Sequence, residues 1–188
     1  MTCKGPFVGP FVFGGAGAAN IVTSNQVAGG NQMTRASGAA ERTATLQRYL
    51  HTQIPLARSI DITVLEASPQ QVVLAAPLAP NLNAHGTVFG GSASAVALLA
   101  AWSMVYSRLV AEGITARLVI QSSKMDYRLP ITDDFRVTAA APDASAWESF
   151  SRTLLHRGRG RIRLVANLEC NGEVLARLEG SFVAMLDS

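Results

Sequence analysis

The sequence predicts an α+β domain in which an antiparallel sheet wraps around a long central helix. Three observations carry that expectation. A run from about Gly91 to Ala111 is Ala-rich and apolar on nearly all sides, with no Asp, Glu or His before Glu112. Two strand-like segments precede it and four follow it. Asn171-Gly172 joins the last two strands and is the strongest hairpin signal in the chain, because a two-residue primed turn needs positive φ at both positions. A helix that is apolar almost all round must be covered on most sides, and a curling sheet does that.

The elements follow in order. Residues Met1 to about Ser37 are rich in Gly, Ala, Asn and Ser without a sustained period, and read as a flexible tail or a gene-model extension, with Met33 as an alternative start. Residues 38–188 read as one domain. Glu41 to Ile54 reads as an amphipathic helix with Leu46, Tyr49, Leu50 and Ile54 along one side, ended by Pro55. Ile60 to Glu66 and Gln71 to Ala76 are strands joined by the turn Ala67-Ser68-Pro69-Gln70. The apolar helix follows and ends at Gly113. Arg117 to Tyr127 and Phe135 to Ala141 are strands separated by Pro130 and the acidic turn Thr132-Asp133-Asp134. Ser145 to Leu155 is a short helix with Trp147, Phe150 and Leu154. Arg159 to Cys170 and Glu173 to Leu186 are the last two strands.

Composition narrows the function classes. The 188 residues are enough for one domain with a real core, and 48% hydrophobic content excludes a disordered chain as a whole. Sixteen basic against 13 acidic residues give a net charge of +3, too small an excess to argue for nucleic acid. Cys3 and Cys170 are the two cysteines and lack metal-ligand spacing, so no metal or disulfide framework is expected and a reducing cytoplasm fits. A membrane span needs about 20 consecutive apolar residues; the apolar run is interrupted by Ser92, Ser94 and Ser103 and reads as a buried helix.

The chemistry concentrates in Asn83-Ala84-His85-Gly86-Thr87-Val88-Phe89-Gly90-Gly91-Ser92. A polar, glycine-rich turn runs straight into the apolar helix. The first N–H groups of a helix have no intrahelical partner and sit at the positive end of its dipole. Glycines let a ligand approach them closely. The stretch is built to hold an oxyanion, a carbonyl oxygen or a phosphate. Asn83 can donate and accept at once, which suits orienting a water, and suits an Asx-type turn equally well. His85 is a candidate base, or a loop histidine bonded to backbone. Ser92 and Ser94 cap the helix or line the site. Ser122, Ser123 and Asp126 are further polar candidates, and Asp126 is placed to pair with Lys124 or Arg128.

Asn83-x-x-Gly86-x-x-Phe89-Gly90-Gly91, the helix after it and Asp126-Tyr127-Arg128-Leu129-Pro130 together resemble a hotdog-fold thioesterase. The similarity is greatest to the thioesterase domain that follows an acetyltransferase domain in YiiD-type proteins, whose Gly-Thr-Val-Phe-Gly-Gly-Ser is present as Gly86 to Ser92. It covers about Glu41 to Leu186, and too little chain precedes it to hold an acetyltransferase domain. The resemblance implies a homodimer or dimer of dimers, with two six-stranded sheets joined edge to edge and acyl-CoA at the subunit boundary. It implies that N–H groups of Gly90 and Gly91 hold the thioester oxygen while Asn83 orients or activates water. It departs at three places, two from the phenylacetyl-CoA type and, at the strand Ser or Thr, one from some other members. Phe89 stands where that type has His, Ala97 or Leu98 where it has an acid, and Ile120 near a strand Ser or Thr.

Arg157, Arg159, Arg161 and Arg163 recur every second residue, opposite Ile162, Leu164 and Ala166. Arg159 and Arg161 are candidates for the phosphates of CoA; a solvated face is the plainer reading. No aromatic residues are interleaved with them, which argues against single-stranded nucleic acid. Phe89, Trp102 and Tyr106 could line an acyl pocket or be core. The function expected is hydrolysis of an acyl-CoA or related thioester, with no metal or redox cofactor. The alternatives are a non-catalytic acyl-CoA binding or sensor module and a hotdog acyl-thioester dehydratase.

Overall fold

The computed structural model describes residues 29–186, with side chains from Gly38 onward. Residues 1–28, most of the expected tail and Cys3 among them, lie outside the described residues. The first helix, α1, runs Gly29–Gln53 and so begins within the expected tail, ahead of Glu41. Its Ala, Met, Gln and Arg residues favour helix by propensity alone. The stretch before Glu41 shows no apolar period, which is why the sequence marks the helix only from there. Pro55 does more than end α1. It opens a second short helix, α2 (Pro55–Ser59), where its missing N–H costs nothing. Ile60 is the C-cap of α2, so the first strand starts later than expected, as β1 (Thr63–Ala67).

The remaining elements are β2 (Gln71–Ala76), a 3-10 turn at Ala79–Asn81, α3 (Gly90–Ala111), β3 (Ala116–Tyr127), β4 (Phe135–Ala140), α4 (Ala144–Arg157), β5 (Arg159–Cys170) and β6 (Glu173–Leu186). All six strands pair antiparallel in one sheet, in the order β1-β2-β4-β5-β6-β3. The β5–β6 hairpin turns on Asn171 at φ 52° and Gly172 at φ 82°, the positive pair that the dipeptide predicts.

The sheet curls around α3, which touches β2, β3, β4, β5 and β6. Val96, Leu99, Met104, Val105 and Leu109 of α3 are buried, and Ala93, Ala97, Ala100 and Ala101 let strands come close. Each large apolar side chain buried this way contributes about 1.5–3 kcal/mol relative to exposure. By length and composition α3 could cross a membrane; in the fold it is the core helix. Gly113, at φ 68°, stops it as expected. At its far end the Arg108 guanidinium lies 4.2 Å from the ring centre of Trp147, whose Nε1 donates to Glu112, so α4 is clamped to α3. A Cβ on Gly160 would meet Phe150 and Leu154 at 3.0–3.1 Å, which explains a glycine where α4 lies on β5.

The two sheet edges differ. β1 is short and bulged between Val64 and Glu66, and α1 covers its free backbone. Gln47 Oε1 accepts from Val64 N–H, Thr43 Oγ1 accepts from Ala67 N–H, Arg42 Nε donates to Ala67 O and Gln47 Nε2 donates to Ile62 O. β3, at the other edge, is long. Only its Leu118 carbonyl is taken by a side chain among the described residues, through Trp102 Nε1 at 3.0 Å. Val119, Ile120 and Tyr127 stand exposed along it.

Candidate functional site

The turn before α3 is held from several sides. Val88 N–H donates to Ile131 O at 2.8 Å and Phe89 N–H to Asn81 O at 2.7 Å, so the chain is fixed just before the helix starts. Phe89 is the N-cap residue, and no side chain caps the helix. The first intrahelical bond is Ala93 N–H to Phe89 O at 3.1 Å. No acidic side chain sits in the first turn. Among the described residues no side chain caps the positive end of the α3 dipole, and no acid of the first turn offsets it.

Two aromatic rings flank that helix head. Phe89 is 56% exposed, and its ring lies over Gly91 so closely that a Cβ there would sit 2.3 Å from Cε1. The Tyr127 hydroxyl donates to Gly90 O at 2.7 Å, and a Cβ on Gly90 would lie 3.5 Å from the Tyr127 ring, an ordinary contact. A side chain at Gly91 would displace the exposed Phe89 ring, whereas one at Gly90 would meet Tyr127 only at ordinary contact distance. Tyr127 was not among the site residues expected from sequence; the aromatic-x-x-Pro ending of its strand was the available signal.

Asn83 is wholly engaged in its own turn. Its Oδ1 accepts from His85 N–H at 2.8 Å and Thr87 N–H at 3.3 Å, while Nδ2 donates to Thr87 Oγ1 at 2.8 Å and Val88 O at 3.4 Å. Both donors and both acceptor directions are filled. Gly86, at φ 74°, closes the turn with its N–H on Asn83 O. His85 is exposed, and its imidazole makes no hydrogen bond to a described residue. Ser92 and Ser94 are half-buried near the helix head, and Leu98 is half-buried further along it.

Other candidates lie elsewhere. Arg159, Arg161 and Arg163 alternate with buried Gly160, Ile162 and Leu164, as strand periodicity predicts, and face outward. Arg157 does not share that strand; it is the last residue of α4. In the sheet register Tyr127 lies opposite Ala176 and Ala176 opposite Leu168. From Leu168 to Arg161 the strand advances about 24 Å. One chain therefore does not bring Arg159 or Arg161 to the head of α3. Asp126 pairs with Arg128 at 3.4 Å, one of its two expected partners. Ser122 and Ser123 are exposed on β3.

Trp102 and Tyr106 form a stack with Tyr49 of α1. Ring centres are 4.9 Å apart for Trp102–Tyr106 and 4.6 Å for Tyr49–Tyr106. Burial, and then the neighbouring Tyr49, push the Tyr106 phenol up to about 12. Burial raises Tyr49 as well. Among the described residues no group of three or more His, Cys, Asp or Glu side chains is arranged to hold a metal.

A family model described as "Putative thioesterase (yiiD_Cterm)" matches residues 43–186. A putative thioesterase from Shewanella oneidensis is similar in structure, with 27% identity, a TM-score of 0.70, and coverage of 79% of this chain and 99% of that one. A protein of unknown function from Chlorobaculum tepidum gives 25% identity and a TM-score of 0.73, over 77% of this chain and 94% of the other. A phenylacetic acid degradation protein from Thermus thermophilus, solved as a single-site mutant, shares the fold. Its identity is 24% and its TM-score 0.53, over 70% of this chain and 99% of that one.

Proposed function

We propose that this chain, which belongs to the putative thioesterase family of yiiD C-terminal domains and has the hotdog fold, binds an acyl-CoA or related thioester at the head of α3 and hydrolyses it. The observation that carries the reading is the uncapped, acid-free start of α3 at two glycines between the rings of Phe89 and Tyr127. The thioester carbonyl oxygen sits on the N–H groups of Gly90 and Gly91. As water attacks the carbonyl carbon, charge builds on that oxygen, and donors fixed beforehand stabilise it; one such donor contributes about 3 kcal/mol. The carbon–sulfur bond then breaks, and the thiol leaves with a proton.

In this reading Asn83 acts by shaping the turn. His85 is the nearest proton acceptor in sequence, and a partner subunit could supply another across the β3 edge. We place that partner on β3 because α1 covers the backbone of β1 while β3 remains open with Val119, Ile120 and Tyr127 exposed. An open, long, apolar edge strand is a liability that a second copy removes. Antiparallel pairing of two β3 strands about a two-fold axis brings the Arg117 end of one copy beside the Tyr127 end of the other. A reducing cytoplasm suits the buried free thiol of Cys170.

The test is thiol release over a panel of short, medium, long and aromatic acyl-CoAs, with the acyl product identified by mass spectrometry. Release from at least one class is expected; failure across the panel defeats hydrolysis. A second reading, acyl-thioester binding without turnover, is favoured by two observations. Asn83 has no free hydrogen-bonding capacity, and Ala97 and Leu98 stand where an acid would be. Saturable binding with no thiol release selects it. Hydration of crotonyl-CoA would select a dehydratase instead.

A further inference from the structure

We infer a second anion site, for a phosphate-bearing ligand, on the outer face of the sheet, formed by Arg163, Lys124, Ser122 and Ser181. The register sets these side chains together. Arg163 lies opposite Ser181, and Ser181 opposite Ser122, so the three form one row across β5, β6 and β3. The next row on the same face is Val165, Glu179 and Lys124. Strands are about 4.8 Å apart and alternate residues about 7 Å along a strand, so both rows fit around one small ligand.

Between the rows, Leu164, Gly180 and Ser123 point to the other face. Gly180 has no room for a side chain there, since a Cβ would lie 2.7 Å from the Phe182 ring. The outer surface at this point is a depression of about 370 Å³, with backbone as its floor and the two rows as its walls.

A bulge makes the site. Leu118 faces the core, and so does Met125, although their positions differ by an odd number. The extra residue between Ile120 and Ser122 shifts the phase. Without it Lys124 would point inward and Ser123 outward.

The charges there are unspent. Arg128, Arg136, Arg152 and Arg177 each meet a carboxylate within 3.4 Å. Arg163 and Lys124 pair with no described residue, and the hydroxyls of Ser122 and Ser181 make no hydrogen bond to one. Glu179 is the one carboxylate in the lining, and Arg177 already engages it at 3.3 Å. Arg161 and Arg159 extend the cationic surface along β5. A guanidinium, an ammonium and two hydroxyls around one hollow supply the donors that a phosphate's several oxygens accept. The hollow is on the opposite face of the sheet from Gly90 and Gly91, so it stands whether or not the thioester reading does.

The experiment is calorimetric titration of the full chain with inorganic pyrophosphate and with adenosine diphosphate, beside co-sedimentation with phosphatidylglycerol–phosphatidylcholine vesicles. Saturable binding is expected, about tenfold weaker in Arg163→Gln and in Lys124→Gln and unchanged in Arg152→Gln, with circular dichroism confirming the fold of each. Binding of the soluble phosphates identifies a free ligand; binding of vesicles alone identifies a lipid headgroup. Ser122→Ala keeps the charge and is expected to weaken binding several-fold, because the hydroxyl is a directed donor. Absence of binding to all probes, or binding that Arg163→Gln, Lys124→Gln and Ser122→Ala leave unchanged, overturns the site.

Discussion

Asn83→Ala separates two roles that one amide can play. The substitution removes four contacts within the turn and leaves the N–H groups of His85 and Thr87 without their acceptor. A loss of about 2 kcal/mol in stability is expected, read from a denaturant midpoint. Unchanged stability together with lost hydrolysis would instead place Asn83 in the chemistry. Gly91→Ala tests the helix head. The new methyl collides with the Phe89 ring, which is exposed and can swing away, so stability should change by less than about 1 kcal/mol. Acyl-thioester affinity should fall, and Phe89→Ala in the same chain should recover part of it. At this scale the sequence showed a glycine-rich turn leading into the head of α3, because both are local patterns. It did not reveal that the Asn83 amide is saturated or that Tyr127 bonds Gly90 O, since both depend on a turn and a strand distant in sequence meeting in space.

Elements hold each other through polar groups as much as through the core. Gln47 of α1 accepts from Val64 N–H and donates to Ile62 O, so Gln47→Ala uncovers the edge of β1. About 1–3 kcal/mol of stability should be lost, measured by thermal or denaturant unfolding, with faster aggregation on warming. The stack of Tyr49, Trp102 and Tyr106 ties α1 to α3. The Tyr106 phenol titrates at about 12 when folded and near the ordinary tyrosine value of 10.0 when unfolded. Stability from this group is therefore complete below about pH 10 and is lost as pH rises toward 12. Tyr106→Phe should remove the latest tyrosinate signal in an ultraviolet titration and flatten the fall in stability over that window. The limits of five strands were legible to within one residue, because alternation and Asn171-Gly172 are local signals, whereas β1 starts three residues later than expected, after α2. α2 and the start of α1 were not legible: a five-residue helix is too short to show a period, and Gly29 to Ala40 mix weak helix formers with good ones and show no apolar period.

The whole molecule is asymmetric about its sheet, with one edge guarded by α1 and the other left open. Ile120→Lys puts a charge on the open edge and should convert a dimer to monomer in sedimentation velocity, at little cost to the fold, because Ile120 is already exposed in the single chain. A monomeric wild type, or a dimer indifferent to this change, would move the interface elsewhere. The wrapped architecture followed from an apolar helix that needs cover. Which edge a partner takes did not, because it depends on side chains of α1 reaching β1 backbone. The central claim is that the amides at the head of α3 hold a thioester oxygen. It is tested most directly by following the Gly90 and Gly91 amide resonances of isotope-labelled protein during titration with acyl-CoAs. Downfield proton shifts of both amides that saturate with the acyl-CoA and are absent with free CoA are expected. Saturating binding that leaves both resonances in place would contradict the claim.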